Sequence, residues 1–252
     1  MKAIVELKNA TKVVTNGFNE ERVILDKVNL TIYQGDFITI LGGNGAGKST
    51  LFNVIAGTLP LTSGSVHILG EDVTNWPAEK RAKYLARVFQ DPKMGTSPRM
   101  TVAENLLIAK YRGEGRGLVP RKLSQQKEEF AQLLPRVGNG LEKHLETPAG
   151  LLSGGQRQAL SLLMASLKQP ELLLLDEHTA ALDPKTSQSL MQLTDELITT
   201  KGMTARMVTH QMEDALRHGN RLIVMKNGQI IQDQTAEEKS KMKLEDYYKL
   251  FD

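Results

Sequence analysis

The sequence predicts an α/β protein with a mostly parallel sheet, an antiparallel β edge near the N-terminus and a helical insert. Apolar segments of strand length alternate with segments of helical period, a pattern typical of a parallel sheet covered by helices. One segment, Leu172–Leu175, is apolar without interruption, as expected of a strand buried on both faces. From residue 92 to 150 the pattern changes to helical segments broken by glycine- and proline-rich loops.

The N-terminal part supplies three predicted strands, at Ile4–Leu7, Val23–Ile32 and Phe37–Leu41. Each alternates apolar and polar residues, or is apolar throughout, and lies between turn signals. After Gly47 the apolar residues recur at helical spacing, so a helix is expected to start there. In the insert, Thr101-Val-Ala-Glu104 has the pattern of a capping box and predicts another helix start.

The C-terminal part repeats the alternation, with strands predicted at Leu172–Leu175, Met207–Thr209 and Leu222–Met225. Asn227-Gly228 lies between two strand-like segments and is typical of a two-residue hairpin turn. Thr235-Ala-Glu-Glu238 is a second capping-box pattern and predicts a short final helix.

These elements predict a single domain over residues 1–252, since this length suits one large domain with a subdomain. The core and an N-terminal β subdomain are expected from residues 1–91 and 151–235. The helical subdomain is expected from 92–150 and a C-terminal helix from 236–252.

Composition excludes several classes of protein. Hydrophobic residues make up 40% and charged residues 24%, which is ordinary for a globular protein and unlike a disordered chain. No apolar run approaches the ~20 residues that span a bilayer. The absence of cysteine excludes disulfides, zinc–thiolate sites and thiol catalysis. The net charge of +3 is mild, so no nucleic-acid partner is expected.

The first chemical motif runs from Gly42 to Ser49 and fits G-x-x-x-x-G-K-[ST] between a strand and a helix. Its glycines let backbone N–H groups converge on phosphate oxygens, and the helix N-terminus adds positive potential. Lys48 can reach the β- and γ-phosphates, and the Ser49 hydroxyl can bind Mg²⁺. The alternative is a glycine-rich turn with a surface lysine. The predicted binding residues are Gly42, Gly43, Asn44, Gly45, Ala46, Gly47, Lys48, Ser49 and Thr50.

A second motif is the pair of carboxylates, Asp176 and Glu177, that ends the apolar strand. Ligands of parallel sheets bind at the carboxyl ends of the strands. Asp176 is expected to hold Mg²⁺ directly or through water, and Glu177 to accept a proton from an attacking water. On its own, such a pair would more often be a strand end followed by a charged turn.

A third motif, Leu152-Ser-Gly-Gly-Gln156, precedes a segment of helical period that begins at Arg157. It predicts a second helix N-terminus available to an anion. The alternative is a plain helix entry built from serine and glycine.

Together these residues resemble the nucleotide-binding subunit of an ATP-binding-cassette (ABC) transporter. GGNGAGKST is similar to the phosphate loop of that family, LSGGQ to its signature and LLLLDE to its magnesium-binding and catalytic strand. Gln90 in VFQDP, Asp183 in AALDP and His210 in VTHQ match the glutamine loop, the D-loop and the switch histidine. The resemblance covers about residues 4–232, and six motifs in order are far more specific than one.

The resemblance implies a P-loop NTPase core that binds ATP and Mg²⁺ and hydrolyses ATP, with Lys48, Gln90, Glu177 and His210 in catalysis. Gln90 is expected to join Ser49 and Asp176 near the metal, and His210 to bind the γ-phosphate and order the attacking water. Two subunits, expected to be copies of this chain, are implied to pack head to tail. The residues implied to reach the partner's nucleotide are Ser153, Gly154, Gly155, Gln156 and Asp183.

The family further implies a separate transmembrane permease, a solute-binding protein and a cytoplasmic position on the inner face of the membrane. Import is favoured over export, and the subgroup that the motifs resemble suggests an amino-acid-like solute. The alternatives are a soluble ABC-type ATPase of DNA repair or translation, a module that senses ATP without turnover, and an exporter ATPase.

The adenine-stacking residue and the residue after Glu177 are assigned less clearly. The family places an aromatic side chain before the phosphate loop to stack on adenine, and Phe18 fits best, with Tyr33 as the second candidate. Phe18 could equally be a core residue at a strand edge. His178 follows Glu177 where the family usually has proline, and the sequence assigns it no role.

Overall fold

The structure is a computed structural model that describes residues 1–15, 17, 20–114, 122–242 and 245–246. Within this part lie ten strands and eight α-helices. The strands are β1 (Ala3–Thr15), β2 (Glu21–Tyr33), β3 (Phe37–Gly42), β4 (Ser63–Ile68), β5 (Glu71–Asp72), β6 (Leu85–Val88), β7 (Leu172–Asp176), β8 (Ala205–Val208), β9 (Arg221–Lys226) and β10 (Gln229–Thr235). The helices are α1 (Lys48–Ala56), α2 (Ala78–Arg81), α3 (Val102–Lys110), α4 (Leu123–Leu133), α5 (Gly154–Ser166), α6 (Pro184–Lys201), α7 (Met212–Arg217) and α8 (Ala236–Lys241).

The central sheet has six strands in the order β10-β9-β3-β8-β7-β6. All its pairings are parallel except that of β9 with β10. Leu172–Leu175 are all buried in β7, as the apolar run predicts for a strand covered on both faces. The predicted α/β class with a mostly parallel sheet is therefore confirmed.

A second sheet of four strands, in the order β2-β1-β4-β5, is antiparallel throughout. The predicted antiparallel edge near the N-terminus is confirmed, although β1 and β2 are longer than their apolar patterns indicated. β4 and β6 were not singled out from the sequence. β6 has four residues, which is too short for a clear periodic signal.

The apolar core forms separate clusters on the two faces of the central sheet. One cluster joins α1 to β3, β7 and the small sheet through Phe52, Ile40 and Leu174. Another packs α5 and α6 on the opposite face, where Leu173 and Leu175 meet Leu190. Because successive strand residues point to opposite faces, the even-numbered leucines of β7 face α1 and the odd-numbered ones face α6.

The segment from 92 to 150 carries α3 and α4, which pack on α5 around a cluster of their own that contains Leu106, Phe130 and Leu160. The capping box at Thr101 is confirmed, since its hydroxyl accepts from the backbone N–H of Glu104 at 3.2 Å. The capping box at Thr235 is also present and starts α8. Of the helix expected over 236–252, residues 236–241 and 245–246 are helical, Met242 has extended backbone, and 243–244 and 247–252 lie outside the described residues.

No helix in the described ranges combines the length and apolar character needed to cross a membrane.

Buried Arg81 fixes the end of the first helix to the small sheet. Its guanidinium donates to the carbonyls of Val54 and Ile55, at the end of α1, at 2.7 and 2.9 Å. It also donates to the carbonyls of Val73 at 2.7 Å and Trp76 at 3.1 Å. Since α1 follows the predicted phosphate loop, this one side chain links the loop's helix to the second sheet.

We expect Arg81→Met to destabilise the fold, because buried carbonyls that lose their donor each cost about 1–3 kcal/mol. The free energy of unfolding, measured with urea, should fall by at least about 3 kcal/mol. Lys80→Met is the matched control on an exposed neighbour, whose ammonium lies 3.4 Å from the Trp76 ring centroid; it should cost no more than about 1 kcal/mol. Equal losses for the two variants would contradict this role of Arg81.

Candidate functional site

The predicted phosphate loop joins the end of β3 to the start of α1. Gly47 is the residue before the helix and has φ of 98°, a conformation that favours glycine. A Cβ at Gly47 would lie 2.7 Å from the carbonyl oxygen of Ile24, so the loop also depends on the missing side chain. Gly43, Asn44 and Gly45 are exposed along the loop. The strand–loop–helix context that the motif requires is thus present.

Lys48 is buried at the start of α1 and points back into the loop. Its ammonium donates to the carbonyl oxygens of Gly42 at 2.5 Å and Gly43 at 3.0 Å. Burial lowers the pKa of Lys48, and the Glu177 carboxylate acts in the opposite direction. Next to Lys48, Ser49 is exposed and Thr50 is half-buried.

The turn between β9 and β10 is hydrogen-bonded to the phosphate loop. Asn227 and Gly228 both have positive φ, which confirms the two-residue hairpin predicted from their sequence. The N–H of Gly228 donates to the carbonyl of Ala46 at 3.1 Å. The hairpin therefore holds the backbone of the phosphate loop in place.

Three strand ends meet at one edge of the central sheet. β8 lies between β3 and β7, and all three run parallel, so the phosphate loop, His210 and the two carboxylates follow neighbouring strands. The Nε2 atom of His210 lies 2.6 Å from Oε1 of Glu177. The side chain of His210 is 45% exposed and that of Glu177 is 11% exposed, so solvent reaches the pair mainly at the histidine.

Asp176 is paired with an arginine that sequence reasoning missed. The Arg87 guanidinium donates to Oδ2 of Asp176 at 2.5 Å and to Oδ1 of Asn53, in α1, at 2.8 Å. Both side chains of the ion pair are largely buried, at 17% and 15% exposure. Arg87 lies on β6, the strand next to β7.

A second arginine, Arg206, is fully buried in β8, near the carboxylate of Asp176. Its guanidinium carbon is 4.8 Å from the centre of the Phe52 ring, and none of its nitrogens has a hydrogen-bond partner within the described residues. Burial lowers the pKa of Arg206 to about 9, while Asp176 acts in the opposite direction. The sequence could have revealed Arg206, because an arginine inside an apolar central strand is unusual.

Gln90 follows β6 and is exposed. Its neighbours are fastened to α5: the carbonyl of Phe89 accepts from Gln158 at 2.9 Å, and the Thr96 hydroxyl accepts from Arg157 at 2.6 Å. The segment that carries Gln90 is thereby tied to the helix that begins at the LSGGQ motif.

Ser153 is the N-cap of α5. Its hydroxyl accepts from the N–H of Gln156 at 3.2 Å, and the Gln156 amide oxygen accepts from the N–H of Ser153 at 3.1 Å. Gly155 packs against Thr186, since a Cβ at Gly155 would lie 2.3 Å from the Thr186 methyl group. Within the described part of the chain, no hydrogen bond joins this motif to the phosphate loop of the same molecule.

Asp183 is the N-cap of α6, where its carboxylate accepts from the N–H of Thr186 at 3.1 Å. Hydrogen bonds from Thr186 lower the pKa of Asp183. Because Gly155 packs on Thr186, the starts of α5 and α6 lie side by side. Gly154, Gly155, Gln156 and Asp183 are therefore near one another, and within the described residues no hydrogen bond joins them to the phosphate loop.

The remaining candidates are Phe18 and His178. Phe18 lies outside the described residues, and its proposed adenine contact stays a prediction. His178 is 1% exposed, and its Nε2 lies 3.0 Å from the hydroxyl of Thr194. Burial lowers the pKa of His178 to about 4; His218 acts in the same direction and Asp195 in the opposite one.

Comparison with known proteins gives one consistent family. The family model described as "ABC transporter" matches residues 25–180. The tyrosine transport ATP-binding protein of Clostridioides difficile is 41% identical over 249 residues, covering 99% of both chains. The spermidine/putrescine import ATP-binding protein PotA of Haemophilus ducreyi is 38% identical over 242 residues, 94% of this chain but 59% of PotA. The ATP-binding cassette MJ0796, solved as a dimer bound to ADP and phosphate, is 30% identical with a TM-score of 0.76, covering 92% of this chain and 99% of MJ0796.

We expect Gly155→Ala to lower the free energy of unfolding by about 1–3 kcal/mol, because the new methyl group overpacks the contact with Thr186. Thr186→Ser should restore most of this loss in the double variant, since it removes the opposing methyl group. Gly154→Ala is the matched control, because its Cβ would meet only Leu182, at 4.0 Å. Urea unfolding of the four proteins tests the contact, which is wrong if the double variant is no more stable than Gly155→Ala.

Proposed function

This chain belongs to the ABC transporter family and is an ATP-binding, ATP-hydrolysing subunit of such a transporter, and we propose that it hydrolyses MgATP between two copies of itself to drive import of a small organic solute. The observation that carries this proposal is the meeting of Lys48, Asp176, Glu177 and His210 at the carboxyl edge of one parallel sheet. Both curated relatives are transport proteins, which favours transport over DNA repair or translation.

In the proposed mechanism the phosphate loop and Lys48 bind the phosphates of ATP. The Lys48 ammonium is already held beside the loop by the carbonyls of Gly42 and Gly43. Exchange of those carbonyls for phosphate oxygens replaces neutral acceptors by charged ones, which strengthens the hydrogen bonds. Catalysis then depends on positioning and on stabilisation of charge as the γ-phosphoryl group is transferred.

Glu177 is the proposed general base, with His210 as the group that orders the attacking water. The 2.6 Å distance between His210 Nε2 and Glu177 Oε1 supports this proposal, because an imidazole beside the carboxylate can also bond a water next to it. Glu177 would accept the proton of the water as its oxygen attacks phosphorus. Gln90, exposed after β6, is proposed to contribute beside this water and the metal.

The residues also fit Mg²⁺. Ser49 and Asp176 supply oxygen atoms, which Mg²⁺ prefers, and they follow β3 and β7 at the same sheet edge. Within the described residues there is no cluster of three or more acidic or histidine side chains that could enclose a metal. This agrees with an ion that is bound by one or two protein oxygens together with the phosphates of the nucleotide. When bound, Mg²⁺ supplies positive charge to the phosphate oxygens.

A head-to-tail dimer would account for two helix N-termini, those of α1 and α5, that could both bind the phosphates of one nucleotide. Ser153, Gly155 and Asp183 lie together at the starts of α5 and α6, apart from their own phosphate loop. In the proposed dimer they complete the site of the partner subunit. The relative MJ0796 was solved as a dimer with ADP and phosphate, which supports this arrangement.

A permease is proposed to dock in the groove between the sheet and the helical segment. The groove has a volume of about 1270 Å³ and is lined by residues of α2, β6, α3 and α5. Met94 and Ile108 line it and are 70% and 48% exposed, so the groove presents apolar surface to solvent. Docking there would place the chain at the cytoplasmic face of the membrane.

A separate solute-binding protein belongs to the same proposal, and the tyrosine-transport relative favours an amino-acid-like solute.

We expect Glu177→Gln to bind ATP with near-normal affinity but to hydrolyse it about 10²–10⁴ times more slowly, because an amide cannot accept the proton. The dimer should then accumulate with MgATP in size-exclusion chromatography. Asp176→Asn should instead weaken Mg²⁺-dependent nucleotide binding. Wild-type turnover by Glu177→Gln would remove it as the base, and a variant that is inactive but monomeric with MgATP would contradict the proposed dimer.

We expect Ile108→Asp to weaken binding to membrane vesicles that contain the cognate permease by about tenfold or more, because a buried unpaired carboxylate is costly in an interface. ATP hydrolysis by the isolated subunit should be unchanged. Ile231→Asp is the matched control, since Ile231 is 41% exposed on β10, away from the groove. The groove is not the docking site if both variants bind the vesicles alike.

A further inference from the structure

We propose that His178 is a positioning residue for catalysis: its hydrogen bond to Thr194 fixes the left-handed turn that aims the Glu177 carboxylate at His210. This inference rests on the role proposed above for Glu177 and assigns the side chain that holds it in place. Two observations carry it, namely the backbone conformation of Glu177 and the buried contact between His178 and α6.

The backbone at Glu177 breaks the alternation of β7. If the strand continued regularly, residue 177 would point to the α6 face with Leu173 and Leu175, and residue 178 to the α1 face. Glu177 has φ of 46°, and His178 lies instead on the α6 side, where it reaches Thr194, while Glu177 reaches His210. The left-handed conformation is therefore what delivers the carboxylate to the site.

Left-handed backbone is unfavourable for a glutamate and persists only when the surroundings fix it. Two backbone hydrogen bonds hold the segment: the N–H of Glu177 donates to Val208 at 3.2 Å, and its carbonyl accepts from Ala180 at 3.0 Å. Neither of them fixes the side-chain direction of residue 178. The direction of the His178 side chain is fixed by its own ring, because the ring is almost completely buried and is hydrogen-bonded on the α6 side.

The contact has a defined donor and acceptor. The Thr194 hydroxyl donates its hydrogen to the carbonyl of Leu190 at 2.8 Å, since a carbonyl only accepts. The Nε2 atom of His178 must therefore donate to the Thr194 oxygen, at 3.0 Å. Nδ1 is buried and has no hydrogen-bond partner in the described part of the chain, so this bond is the ring's single polar anchor there.

The same turn of α6 also holds the other member of the pair. Asp195, next to Thr194, accepts from Nδ1 of His218 at 2.7 Å. His218 ends α7, the short helix that starts two residues after His210. Adjacent residues of α6 thus anchor the segments that carry Glu177 and His210. α6 itself is rigidly placed, with Leu190 and Leu193 packed against the sheet.

The test compares Thr194→Val, which keeps the side-chain volume but removes the acceptor, with Thr194→Ser, which keeps it. A misplacement of about 1 Å can cost about 10²-fold in rate, so we expect kcat for ATP hydrolysis by Thr194→Val to fall at least about tenfold. The KM for ATP and the affinity for a non-hydrolysable ATP analogue should stay within about twofold, because the phosphate loop is untouched. Thr194→Ser should recover most of the rate.

A second control separates positioning from loss of stability. Ser166→Ala removes another fully buried hydroxyl, at the end of α5, that donates to Leu163 at 3.0 Å. It should leave kcat unchanged. If Thr194→Val folds poorly, the double variant His178→Phe with Thr194→Val removes both ends of the bond and leaves no polar group unpaired. That protein should be stable and still slow.

Three outcomes would overturn the proposal: wild-type kcat in Thr194→Val or in the double variant, a rise in KM that accounts for the whole loss, or a loss as large in Thr194→Ser. Glu177→Gln is assayed beside them to keep the two proposals apart. If Glu177→Gln is inactive while Thr194→Val is normal, the base assignment stands and the positioning role fails. If Glu177→Gln retains full activity, both fail together.

Discussion

The parallel register of β3, β8 and β7 is the constraint on which the site depends. Val208 of β8 pairs with Ile40 on one side and with Asp176 on the other, so β8 and β7 end at the same level and β3 ends two residues beyond it. The predicted phosphate loop follows β3, His210 follows β8, and the two carboxylates lie at the end of β7. Since parallel strands place their carboxyl ends along one edge, residues far apart in the chain become neighbours without any specific contact between their loops.

The charged groups of this edge are satisfied by the protein itself. Lys48 is bonded to loop carbonyls, Asp176 to Arg87, and Glu177 to His210. Binding of a charged ligand therefore exchanges one set of partners for another, and only the difference between the two sets contributes to affinity. Arg206, buried below Asp176, adds positive potential that no hydrogen bond within the described chain neutralises.

A few fixed contacts link the site to other surfaces of the molecule. Gln158 and Arg157 at the start of α5 hold the segment after β6, and α3 packs on the same helix. The starts of α5 and α6 touch at Gly155 and Thr186. The segment that carries Gln90 is thereby joined to the groove and to the LSGGQ helix by hydrogen bonds and packed side chains.

The α/β class, the phosphate loop, the capping boxes at Thr101 and Thr235 and the hairpin at Asn227 could all be predicted from the sequence alone. Each depends on a pattern within a few neighbouring residues or on a motif with its own local geometry, which a linear chain displays directly. The order of motifs also indicated that Glu177 and His210 serve one site.

Which side chains hold these groups depends on how the whole chain folds. Arg87 reaches Asp176 across 89 positions of sequence, and Arg81 reaches the end of α1 across 27, because strand order and helix packing bring them together. His178 was unassigned in the sequence because its direction depends on one left-handed residue before it and on a threonine 16 positions away. Such contacts follow from the closure of the whole fold, and local patterns carry no record of them.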